Sequence, residues 1–154
     1  MKHFYYLFSI ALLVSSLGFG QVFITEISDP NNEDGARFVE LYNAGAIDVN
    51  LGAGYDLQRW TNAGTAPQTA KELTGTIPAG GFYIVCNNQS TFTSTFGFAA
   101  DQDIFTGGPA DSNGDDQLAL RDPSDSIIDF FGVVGEDGSG TNHEFEDGRA
   151  ERKA

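Results

Sequence analysis

The stretch "RFVELYN", residues 37–43, decides the fold. In an extended chain Val39 and Leu41 fall on one side and Phe38, Glu40 and Tyr42 on the other. That is the period of two a half-buried strand imposes. Working outward, "VFITEI" (22–27), "YDLQRW" (55–60), "AKELTGTI" (70–77), "GFYIVC" (81–86), "QLALR" (117–121) and "IIDFFGVV" (127–134) are apolar runs of strand length. Between them lie Asp29-Pro30, Asn43-Ala44-Gly45, Pro78 to Gly81 and Asp122-Pro123, which are turn chemistries. Short strands punctuated in this way predict an all-β sandwich or barrel. One segment departs from the pattern. "STFTSTFGF" (90–98) spaces Phe92 and Phe96 four apart behind Ser90, a candidate N-cap, and predicts one short helical turn. Residues 99–116 read as a long surface loop.

The chain has 154 residues, enough for one domain. It opens with "MKH", an apolar run from Phe4 to Leu17, and Gly18 and Gly20. That pattern predicts a secretory leader over 1–20 and a mature form starting at Gln21 with no membrane span. Residues 21–135 then form the β domain, and 136–154 a polar extension that is either an edge strand through "HEFE" (143–146) or a linker. The expected location is extracellular or at the cell surface. The lone cysteine, Cys86, allows no internal disulfide, and its place in "FYIVC" predicts a buried, inert thiol. Net charge is −14, or −15 once Lys2 leaves with the leader. Such acidity repels phosphate backbones and anionic lipid, so direct nucleic-acid binding is disfavoured.

In order along the chain, "ITEI" (24–27), "RFVELYNAGAIDVNL" (37–51), "GTIPAGGFYIV" (75–85) and "DDQLALRDPSDSIIDFFGV" (115–133) resemble the lamin tail domain family, in its bacterial secreted type. The family's aromatic and hydrophobic-Glu-Leu-Tyr-Asn strand falls on Phe38 to Asn43, and its Pro-x-Gly-Gly turn on Pro78 to Gly81. The resemblance implies an immunoglobulin-like β-sandwich used as an accessory module in exported proteins, beside nucleases, phosphatases or other hydrolases, or in surface proteins. Where that family often has glycine before the final strand, this chain has Asp125-Ser126.

Two acidic loops raise the question of metal. "DSNGDD" (111–116) offers Asp111, Asn113, Asp115 and Asp116, and "DPNNEDG" (29–35) offers Asp29, Asn31, Glu33 and Asp34, oxygen donors of the kind calcium takes. The glycine spacing excludes an EF-hand, and the same letters suit plain polar turns. If the two loops meet at one end of the sandwich, a shared calcium site becomes the stronger reading. Glu26 and Glu40 interrupt apolar strands and are candidate binding or acid–base carboxylates, or else structural partners of Arg37, Arg59 or Arg121. Trp60, with Tyr42, Tyr55 and Tyr83, is a candidate stacking aromatic or a core residue. His143, the mature chain's one histidine, reads as a solvated tail residue, so catalytic residues are assigned to none.

The expectation is therefore a secreted, non-catalytic binding, adhesion or accessory module, with calcium as an optional stabiliser. Loops 29–36, 61–69 and 99–116 would be its contact surface, toward an extracellular protein, a polysaccharide or a covalently linked catalytic domain. The alternative is the front part of an exported metal-dependent hydrolase, a nuclease or phosphatase, whose catalytic domain lies beyond the chain.

Overall fold

Strand alternation leaves one apolar face on each sheet, and the chain buries these faces against each other. A computed structural model describes residues 22–104 and 107–153, the side chain of Asn32 excepted. The expected leader lies outside the described residues. Strands β1 (Val22–Ser28), β2 (Phe38–Asn43), β7 (Phe82–Cys86), β8 (Gln102–Asp103) and β11 (Arg149–Glu151) form one sheet in the order β11-β1-β2-β7-β8. Strands β4 (Asp56–Trp60), β5 (Lys71–Glu72), β9 (Gln117–Arg121) and β10 (Ile127–Phe131) form a second, in the order β10-β9-β4-β5. A small pair, β3 (Val49–Asn50) with β6 (Thr76–Ile77), accompanies them. All these pairings are antiparallel except β7 with β8.

The facing layers enclose Ile24, Ile27, Val39, Leu41 and Val85 from the large sheet and Leu57, Leu118 and Leu120 from the smaller one. Val39 and Leu41 are fully buried, while Glu40 and Tyr42 on the opposite side remain half-exposed, as the alternation of "RFVELYN" requires. A bulge between Ile24 and Glu26 shifts the register of β1 against β2, re-aiming the outward residues of β1. The long expected strand 70–77 is instead two two-residue strands, β5 and β6, broken at Leu73 to Gly75, where Gly75 takes φ +70°. The turn before β10 keeps a left-handed residue without glycine. Asp125 adopts φ +62°, and Asp122 Oδ1 accepts from the backbone N–H groups of Ser124 and Ser126.

The helical segment is α1 (Gln89–Phe96), and its cap corrects the sequence reading: the side chain of Asn88, not Ser90, accepts from Thr91 N at 3.0 Å. Ser90 lies inside the first turn. Phe92 is buried and meets Phe38 of β2 edge-on at 5.6 Å, so α1 covers one end of the large sheet's outer face.

The described parts of the expected surface loop, 99–104 and 107–116, are only partly at the surface. Ile104, Ala110, Ser112 and Asp116 are buried, and the three-ten turn Pro109–Asp111 sits at one end between the two sheets. Beyond residue 135 the chain stays on the domain. Phe145 enters the core, β11 extends the large sheet, and "HEFE" itself lies in turns rather than a strand. Gly114 explains the close approach: at φ +106° its backbone lies against Glu146, where a side chain would collide with the Glu146 main chain.

Candidate functional site

The three expected contact loops do converge, and two arginines hold them. Arg37 shares the parity of Val39 and Leu41, and Arg59 that of Leu57, so both point into the end of the sandwich and both are buried. Arg37 donates through Nε to Asp29 at 2.8 Å and through Nη1 to Asp111 at 3.2 Å, and its Nη2 lies 3.0 Å from Asp34. Arg59 donates to the backbone oxygen of Asp111 at 2.6 Å and to Gln68 at 3.0 Å, and approaches Asp116 at 3.3 Å. The turn Pro109–Asp111 is thus clamped by one guanidinium from each sheet. Asn87 donates to Asp111 Oδ1 at 2.8 Å, and Asn62 bonds Asp115 and Asp116 at 2.6 and 3.1 Å.

This geometry accounts for the acidic loops. Of the residues read as calcium donors, Asp29, Asp34 and Asp111 surround Arg37, and Asp116 faces Arg59. Asp115 is bonded to Asn62. Asn31 and Glu33 are exposed on their loop, and Asn113 on its own. Among the described residues no group of three or more His, Cys, Asp or Glu side chains is placed to hold a metal. The two loops meet, but around a covalently attached cation. Burial opposes the charge on Arg37, yet Asp29, Asp34 and Asp111 outweigh it and its pKa rises. Burial raises the pKa of Asp116, with Arg59 and the Asn62 amide pulling the other way.

Other candidates sit elsewhere. Trp60 is 6% exposed, on the outer side of the smaller sheet rather than in the main core, edge-on to Phe130 at 5.3 Å. Its ring offers no open face for stacking. Tyr83 is buried and donates to Thr74 O at 2.7 Å. Cys86 is fully buried, and burial with the nearby Asp103 pushes its thiol up to about 11, so it is inert at neutral pH. His143 is not solvated: it packs edge-on to Phe131 and contacts Thr141 Oγ1 at 3.0 Å. Arg121 forks onto Asp56 at 2.7 and 2.8 Å, so neither it, Arg37 nor Arg59 partners the strand glutamates.

Those glutamates are register partners, Glu26 opposite Glu40, on the outer face of the large sheet. They lie in a groove of about 480 Å³, with Phe96 and Phe98 from the helical side and Arg149 from β11 around them. Sequence reasoning missed Arg149 and the aromatic wall. Only the parity of Arg37 and Arg59 could have exposed the clamp, since an arginine on a core-facing position demands a buried partner.

Compared with known families, residues 16–135 match the family model of the Lamin Tail Domain. No curated protein matches the chain.

Proposed function

The chain belongs to the lamin tail domain family, a family of non-catalytic immunoglobulin-like domains, and from that premise we propose that it is an exported module that acts by binding. The single observation behind this reading is where the side chains are used. Four of the loop carboxylates, those of Asp29, Asp34, Asp111 and Asp116, are engaged within the fold by Arg37 and Arg59, whereas the outer face of the large sheet keeps an open, mixed aromatic and acidic groove. An open cleft that combines aromatic walls with charged groups suits recognition of a ligand carrying both characters. The apolar start of the sequence (4–17) supports export; among the described residues no helix is long and apolar enough to cross a membrane.

Export is tested by expressing the tagged full chain and sequencing the N-terminus of the product outside the cells. A mature protein starting at Gln21 is expected, and retention of the uncleaved chain inside would refute it. The alternative, the front part of an exported metal-dependent hydrolase whose catalytic domain lies beyond the chain, gains if the full reading frame encodes such a domain after this one. Calcium is tested separately. A ligand that binds only the folded state raises its melting temperature by mass action. With Arg37 and Arg59 already seated among the carboxylates, millimolar calcium is expected to give the same melting temperature as chelator. A calcium-specific rise absent with magnesium, and lost on Asp111→Asn, would show that those loops do hold the ion.

A further inference from the structure

Across β11, β1 and β2, strand register sets Glu151, Glu26 and Glu40 side by side. Like charges directly opposed in a sheet destabilise it. Arg149 lies 3.7 Å from Glu26 and 3.2 Å from Glu151, while Glu40 Oε1 accepts from Thr25 Oγ1 at 2.7 Å. The one guanidinium thus reaches two of the three carboxylates, Glu40 is met by a neutral hydroxyl, and Asp147 adds a fourth acid to the groove lining. Burial raises the Glu26 pKa, Arg149 offsets this in part, and Glu40 and Glu151 add to the rise. The row is therefore under-compensated within the fold, and it invites a cation from outside.

The surroundings say what kind. On the helical side stand Phe96 and Phe98, 37% and 51% exposed. On the opposite side of the row the same sheet face carries a second aromatic group. Phe23, Tyr42 and Phe82 follow one another across β1, β2 and β7 with ring centroids 5.7 and 4.8 Å apart. Phe82 is 56% exposed. The face thus reads apolar, acidic, apolar along the strand direction; at the far end Arg152 lies over Phe23 at 5.2 Å with Lys153 beside it, which leaves Phe82 as the most exposed ring there.

We propose that this face binds a basic segment of a partner protein, with a lysine or arginine head between Glu26 and Glu40 and flanking apolar residues on the two aromatic groups. The proposal rests on the binding-module reading above and supplies its partner class. Charge complementarity selects the occupant: a long apolar stem ending in a cation matches acids walled by rings, which attract cations through their faces.

The probe is a blocked heptapeptide alternating leucine and lysine, titrated into the purified chain at about 0.15 M ionic strength, where charges outside the groove are screened, and followed by calorimetry and amide chemical shifts. Saturable one-to-one binding is expected, with shifts in β1, β2 and α1. Glu26→Gln combined with Glu40→Gln is expected to weaken it about tenfold or more. Glu72→Gln combined with Glu136→Gln removes the same charge outside the groove and is expected to change affinity by no more than about twofold. Folding is checked by the melt of the groove variant, which is expected to match or exceed the parent because a repulsion has gone. Equal weakening in both variants would mean bulk attraction to an acidic protein and overturn the proposal. So would absence of saturable binding, or spermidine binding as tightly as the peptide, which would make a small polyamine the occupant. An exported, inactive protein that fails this titration would leave the binding-module reading standing and remove only its partner.

Discussion

Arg37→Ala is expected to lower the unfolding free energy by about 3–5 kcal/mol, the loss seen when one partner of a buried ion pair is removed. The magnitude comes from what the arginine leaves behind. Asp29 is fully buried, and its Oδ1 has the Arg37 Nε at 2.8 Å; without the guanidinium, that carboxylate is stranded away from water. Asp111 loses one of its two side-chain links to the large sheet as well, leaving Pro109–Asp111 bonded to the sheets by Arg59 and Asn87. Lysine is expected to recover little, because Asp29, Asp34 and Asp111 each approach a different nitrogen of the planar group. Urea denaturation at neutral pH measures the difference. A loss below about 1 kcal/mol, the scale of an exposed pair, would show that the clamp is not a buried one.

Phe92→Ala should cost about 3–5 kcal/mol, the range for truncating a buried phenylalanine. Phe92 is 1% exposed, and its ring touches Phe38 at 5.6 Å, Phe96 at 4.7 Å and Phe98 at 5.4 Å. Isolated helices as short as α1 do not hold themselves in water, so its order depends on this docking. Loss of exchange protection at the amides of Phe92 and Gly97, which bond Asn88 O and Thr93 O, should accompany the fall in stability. The helical-side wall of the groove would go with it, so peptide affinity is expected to fall as well. Unchanged protection in a destabilised variant would show that α1 is held by the turn Asp34–Ala36 against Thr91 instead.

The strand 38–43 was readable because one more deeply buried face forces a period of two on the residues, and 117–121, buried on both faces as far as Leu120, because its Leu-Ala-Leu run is apolar throughout. The family resemblance added the two-layer architecture. What could not be read was where polar loops go. Residues 99–116 have the composition of an exposed loop, yet Asp111 is held by Arg37 and Arg59, 74 and 52 positions away. No local pattern carries that separation. Glu26 and Glu40 were recognisable as odd residues in apolar strands, but the bulge in β1 set their pairing, and bulges leave no reliable mark in side-chain type. In the polar stretch after 135 a single buried phenylalanine, Phe145, was the visible hint that the chain stays on the domain.

The pairing of β11 with β1 has a mechanical consequence. The two strands run in opposite directions, Arg152 N bonds Thr25 O, and the Arg152 guanidinium rests over the Phe23 ring at 5.2 Å. The last described residues therefore leave the domain beside the first. Tension applied between those ends would pull at one tip of a zipper, parting its bonds in succession instead of loading them all at once. A domain tethered by both ends would yield first by shedding β11, and with it Glu151 and Arg149 from the groove.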